Sequence, residues 1–153
     1  MKTDAVNEYW KAFLARNPQI GRDTPFQAWC FGNSKEMAKD LAQLVLSGKK
    51  TTTSSLAKTN ELEPQNAPVS DGYSVVTDFE GIPMCIIQTA EIRHGLFSDV
   101  DAQFAHNEGE GDQSLEYWRA VHWDYFSREA AKFEFEFNEY SMVCCERFRL
   151  LFP

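Results

Sequence analysis

The 153-residue sequence has no run of about 18 consecutive apolar residues, so no membrane-spanning helix is expected. The opening stretch M-K-T-D-A-V-N-E carries acids and no apolar core, which argues against a signal peptide. Cysteine is sparse: Cys30, Cys85, Cys144 and Cys145 show no C-x-x-C spacing, and the adjacent pair is badly placed for a mutual disulfide. Neither a zinc ribbon nor a secreted disulfide scaffold is suggested, and the expected location is cytoplasmic. Cations are also short. Fifteen Lys and Arg face 23 Asp and Glu, for a net charge of -8, which excludes a protein that coats nucleic acid by charge alone. Duplex DNA is therefore not an expected partner, and any nucleic-acid contact must be local. The spacing G-x-x-x-x-G-K-[ST] is absent, which disfavours a nucleoside triphosphatase.

What is present is aromatic bulk. Twelve Phe, four Trp and five Tyr bring the aromatic fraction to 14% in a chain sized for one domain. Val6, Tyr9, Trp10, Phe13 and Leu14 recur at helical spacing, and Asn17-Pro18 closes that helix. Pro25 to Gly32 is too apolar for a solvated loop and is expected to be a short strand or a buried extended run. A second helix is expected from the N-cap Ser34 to Gly48, with Ala38, Leu41, Leu44 and Val45 as its buried stripe. A polar connection follows, Asn60 to Gly72. Tyr73–Phe79 and Met84–Glu91 should form a hairpin, followed by a polar interval ending in E-G-E-G-D. A long helix with Asp112 as its N-cap should then bury Leu115, Trp118, Tyr125 and Phe126. Lys132–Glu139 alternates Phe133, Phe135 and Phe137 with Glu134 and Glu136, which predicts a strand, and Met142–Phe152 predicts another. The order lacks regular strand-helix alternation, so a small mixed or antiparallel sheet with helices around it is expected.

Two loops of opposite charge carry the chemistry. In Gly48–Ser55, G-K-K-T-T-T-S-S, Lys50 stands three residues before Thr53, where an amine can meet a hydroxyl as a base, or remain charged and bind an oxyanion or phosphate. A plain structural use exists as well, since lysines and a glycine suit a helix end. Glu108, Glu110 and Asp112 alternate with glycines; they suit a loop entering a helix, and are also the residues that would gather a divalent metal.

The motifs A-W-C-F-G (Ala28–Gly32), L-V-L-S-G-K-K-T-T-T-S-S-L (Leu44–Leu56), P-M-C-I-I-Q-T (Pro83–Thr89), E-G-E-G-D-Q-S-L-E-Y-W-R-A-V-H (Glu108–His122) and V-C-C-E-R-F (Val143–Phe148) resemble those of ASCH domain proteins. The resemblance runs from Trp29 to the C-terminus with the motifs in order. It implies an α+β, PUA-like fold: a small, mainly antiparallel β-barrel flanked by helices. It further implies one domain over 1–153, with residues 1–24 as an N-terminal helical extension. Relatives are associated with ribonuclease activity or with hydrolysis of N4-acetylcytidine. Matched motif to motif, the amidohydrolase set falls on Lys50, Thr53 and Glu108, with Thr53 as nucleophile, Lys50 as base and Glu108 as proton shuttle. Trp29, Phe31, Lys49 and Ser55 are the expected substrate contacts. Ser55 stands where the small amidohydrolases carry an arginine, which removes a bidentate donor. The expected partner is single-stranded RNA or a modified nucleoside, in a cleft between the two loops. The competing expectation is a non-catalytic RNA-binding module. No cofactor is expected, short of a divalent ion on Glu108, Glu110 and Asp112. If the cleft is solvated, replacing Lys50 or Glu108 should leave thermal melting near wild type.

Overall fold

The computed structural model describes residues 2–153 and builds one five-stranded sheet from β1 (Phe26–Cys30), β2 (Thr52–Leu56), β3 (Tyr73–Thr77), β4 (Pro83–Leu96) and β5 (Met142–Phe152). The strands lie in the order β1-β3-β4-β5-β2. Only β1 and β3 run parallel; the other neighbours are antiparallel. The sheet curls into a half-barrel, because among the described residues the two outer strands, β1 and β2, do not pair with each other. Among the described residues five α-helices flank it: α1 (Asp4–Arg16), α2 (Lys35–Leu46), α3 (Ala57–Leu62), α4 (Ala102–Glu108) and α5 (Leu115–Lys132).

Strand alternation sorts side chains onto two faces. Trp29 and Phe31, Val76, Cys85 and Ile87, and Phe148 share the concave face, where α2 packs Leu41, Ala42 and Val45 against them. Val75 and Ile86 point the other way, onto Val6, Trp10 and Phe13 of α1. A third cluster joins Leu56 and Val143 to Trp118 and Phe126 of α5, with Phe97, Val100 and Ala105.

The helix signals hold where a cap and a stripe coincide. Thr3 and Ser34 accept from Val6 N and Met37 N, capping α1 and α2. Three expectations need correction. The α5 N-cap is Ser114, two residues past Asp112, because Asp112 instead turns back to accept from Ser114 N at 2.9 Å. The polar interval before E-G-E-G-D holds a helix of its own, α4, capped by Asp101. Lys132–Glu139 is not a strand. Phe133, Phe135 and Phe137 are half-buried and Glu134 and Glu136 exposed, as the alternation requires, but no neighbouring strand meets this segment. Phe135 and Phe137 pack on the α5 cluster instead, so burial alone imposes the period.

Candidate functional site

One end of the concave face is plugged by α2 and the other is polar. Continuing the alternation past the apolar residues brings Gln27 on β1, Ser74 on β3, Thr89 on β4, Glu146 on β5, and Thr53 and Ser55 on β2 to that end. Except for Thr89, these residues line a cavity of about 480 Å³ at the gap between β1 and β2, together with Trp29, Phe31, Lys50, Glu108, Glu110 and His122. That volume suits a nucleoside-sized ligand. A broader, open groove of about 660 Å³ beside α3, lined by Lys58, Glu61 and His94 among others, contains no buried ionisable group.

The cavity wall is a buried charge cluster. Lys50 Nζ donates to Glu110 Oε2 at 2.9 Å, to Glu108 Oε1 at 3.2 Å and to the Glu108 carbonyl at 3.4 Å. The Lys50 and Glu108 side chains are 1% and 2% exposed. Glu108 Oε2 accepts from the Ser54 hydroxyl at 2.8 Å and from the Trp118 indole N–H, and lies 3.5 Å from His122 Nε2. The His122 ring stacks on Trp118 with centroids 4.3 Å apart, and its Nδ1 lies 2.8 Å from the Trp118 carbonyl oxygen.

Backbone packing creates this convergence. Thr51 N–H donates to the Asn107 carbonyl at 2.8 Å, docking the end of α4 on the lysine loop. Gly109 caps α4 with φ 73°, and a Cβ there would lie 2.6 Å from the Lys49 carbonyl oxygen. Only glycine combines that left-handed backbone with so close an approach. Gly109 of E-G-E-G-D therefore lets the acidic loop lie close on the lysine loop.

Burial alone would lower the Lys50 pKa, but the carboxylates of Glu108 and Glu110 outweigh it and the net shift is upward. Burial likewise works to raise Glu108, yet Lys50, His122 and the Trp118 donor hold it well below the usual carboxylate range. Glu110 ends raised, by burial and by the Glu108 charge, against the pull of Lys50. For His122, burial is overcome by Glu108, so its pKa rises. The resting cluster is thus an ammonium–carboxylate pair with Glu110 as its most readily protonated acid.

Of the expected site residues, Lys50, Thr53, Glu108, Trp29, Phe31 and Ser55 all line the cavity. Lys49 does not; its side chain is exposed outside it. No hydrogen bond joins Lys50 to Thr53 among the described residues, because the ammonium is committed to the two glutamates. Phe31 is 5% exposed and belongs to the core as well as to the cavity wall. Its ring centroid lies 5.3 Å from Lys50 Nζ. Ser55 Oγ accepts from Asn60 Nδ2 at 3.0 Å. The metal trio does not form: Asp112 is exposed, and the groups that gather are Glu108, Glu110 and His122, with ligand atoms within 4.8 Å of one another. The Lys50 ammonium already supplies the cationic charge between those carboxylates, so the set does not fit a divalent ion.

Sequence reasoning missed Ser54, Trp118 as a hydrogen-bond donor, His122 as a cluster member, and Ser74 and Glu146. The spacing of Trp118 and His122 was a usable signal, since residues four apart on a helix share a face. Ser74 had none beyond being a polar position within an apolar strand, and Glu146 none beyond its place in the V-C-C-E-R-F motif.

Residues 27–151 match the ASCH domain family. This chain belongs to that family. The crystal structure of an ASCH domain from Lactobacillus crispatus JV V101 is similar over 99% of this chain and 96% of its own, with a TM-score of 0.88 and 26% identity. A protein from Enterococcus faecalis V583, assigned to the family DUF984, is 30% identical with a TM-score of 0.86, over 97% of this chain and 88% of its own. No curated protein matches. The ASCH domain is associated in general with RNA binding or nucleoside processing, and the α+β half-barrel described above is the architecture of its solved members.

Proposed function

We propose that the cavity receives the base of a modified nucleoside, free or within single-stranded RNA, and that the Lys50 cluster hydrolyses an acyl group carried by it. The observation that carries this reading is the buried Lys50–Glu108–Glu110–His122 set on one wall of a cavity that Thr53 also lines. Buried ionisable groups that open on a pocket are costly to stability, and groups so perturbed cluster at functional sites.

The charge balance selects the ligand. Lys50 is enclosed by two carboxylates and Glu146 lines the same space, so the cavity interior does not attract a phosphate. A neutral, donor-bearing base enters more readily, with any phosphodiester left at the rim. This favours deacylation of a nucleoside, of the N4-acetylcytidine type, over cleavage of an RNA backbone.

In the proposed reaction the Thr53 hydroxyl oxygen attacks the acyl carbon. Lys50 passes a proton to the carboxylate pair as it takes one from Thr53, and its charge stabilises the oxyanion. The carbon–nitrogen bond breaks, the amine leaves with the returned proton, and water then cleaves the threonine ester to release the acid. Lys50 thus acts as a relay, since it rests protonated.

A second reading, a non-catalytic binding domain, is favoured by one observation: the Lys50–Thr53 hydrogen bond is missing among the described residues. Incubation with N4-acetylcytidine, with related acylated nucleosides and with unmodified single-stranded RNA separates the two. Release of free nucleoside and acid, lost in Thr53→Ala, supports hydrolysis. Binding without turnover supports the second reading, and shortening of unmodified RNA would overturn the choice of substrate.

A further inference from the structure

Two polar atoms at the cavity floor, Glu146 Oε2 and the Ser74 hydroxyl oxygen, have no protein hydrogen-bond partner among the described residues. Ser74 and Glu146 are 4% and 6% exposed, and both line the cavity. Thr89 Oγ1 donates to Glu146 Oε1 at 2.5 Å. Among the described residues nothing bonds to Glu146 Oε2 or to the Ser74 hydroxyl. Among the described residues the one wholly enclosed side-chain oxygen or nitrogen without a partner is Thr59 Oγ1. The free Glu146 oxygen and the Ser74 hydroxyl are therefore open to the cavity, where a ligand can complete them.

Leaving a largely buried carboxylate half-satisfied is costly. Apolar side chains fill the same face two residues further along each strand, at Val76 and Phe148. Burial pushes the Glu146 carboxyl up, against the Thr89 hydrogen bond and the Lys50 charge, so nothing in the protein compensates it in full.

The polarity of the pair is specific. Glu146 presents an acceptor, and Ser74, two strands away across β4, presents a hydroxyl that can donate. We propose that Glu146 and Ser74 read the edge of a base carrying an exocyclic amine beside a ring nitrogen: Glu146 Oε2 accepts the amine N–H, and the Ser74 hydroxyl donates to the ring nitrogen. This rests on the nucleoside reading above and names the feature selected. Cytosine and adenine present that edge. Uracil and hypoxanthine present a carbonyl where the amine stands, which meets Glu146 oxygen to oxygen. The placement also serves the reaction, because Thr53 is the register partner of Glu146 across the β2–β5 ladder. An amine held on Glu146 has its acyl substituent beside the threonine.

The test is calorimetric titration of the full chain with cytidine and uridine, which needs no turnover. Wild type should bind cytidine at least about tenfold more tightly than uridine. In Glu146→Gln, Thr89 continues to donate to the side-chain oxygen, and the amide nitrogen then presents a donor to the cavity. The cytidine preference should collapse or invert. Ser74→Ala, the milder change, should weaken cytidine binding several-fold with an unchanged melting curve. Equal affinity of wild type for the two nucleosides, an unchanged ratio in Glu146→Gln, or an equal loss for both nucleosides there with Ser74→Ala silent, overturns the assignment. Discrimination without hydrolysis upholds it and removes only the deacylation. Binding of neither nucleoside overturns both proposals.

Discussion

Replacing Lys50 by Met tests whether the charge cluster is as buried and interdependent as its geometry states. Methionine keeps the length of the stem and removes the ammonium, leaving Glu108 at 2% and Glu110 at 17% side-chain exposure without their cation. Removing one partner of a buried ion pair costs about 3–5 kcal/mol. Glu110, whose pKa is already raised, can take up a proton and relieve part of that, so the lower end, about 3 kcal/mol, is expected. For a chain of this size that is a fall of roughly 6–12 °C in Tm. This reverses the expectation of a neutral substitution that follows from treating the lysine loop as solvated.

The pH dependence supplies the sign. In wild type the lowered Glu108 pKa contributes stability above its unfolded value, and that contribution is lost as pH falls through the folded one. Without Lys50, the Glu110 pKa, already raised by burial and by Glu108, rises further above its unfolded value, so its charge destabilises the variant at neutral pH and the penalty fades toward about pH 4.3. The gap in Tm between wild type and Lys50→Met should therefore narrow from pH 7 to pH 4.5. Adding Glu108→Gln to the variant should recover part of the loss. Circular-dichroism melts across that range check all three statements. A Lys50→Met protein melting within about 2 °C of wild type at pH 7, with a gap that does not move with pH, would refute the reasoning.

Thr53→Ala should abolish release of acid from an acylated nucleoside while leaving calorimetric binding within a few-fold, because the hydroxyl bonds to nothing that holds the sheet. The raised His122 pKa adds stability that is full below its unfolded value near ~6.5 and lost as pH rises through the folded value. His122→Phe should flatten that part of the stability–pH curve, and an NMR titration of the ring reads the shift directly. Gly109→Ala meets both an unfavourable φ and the Lys49 carbonyl, so a loss of at least about 1 kcal/mol in urea unfolding is expected, together with a fall in activity. With a net charge of -8, affinity for duplex DNA should stay poor at physiological salt. Tight binding in a filter assay would contradict the account of the cavity's polarity.

The sequence by itself determined the elements whose cause is local. Ser34 before an apolar stripe made a capped helix, turn-bounded apolar runs made β3, β4 and β5, and a period of three to four buried Trp118 and Phe126 at 2% and 0% exposure. It also named the two loops, since a glycine-flanked lysine run and E-G-E-G-D are visible as strings. Tertiary structure alone decided what those strings do. Whether Lys50 is a solvated cation or a 1% exposed ammonium depends on Glu108, 58 residues away, and on Gly109 allowing α4 to seat on the lysine loop. The same holds for Phe133–Phe137, whose alternation specifies which side is buried but not whether a strand lies alongside. It holds again for Ser74 and Glu146, ordinary polar positions until β4 is placed between their strands and the sheet curls around them. Side-chain direction follows from the period of a segment's own backbone. Desolvation follows from which distant segments close over it, and the chemistry of this cavity depends on desolvation.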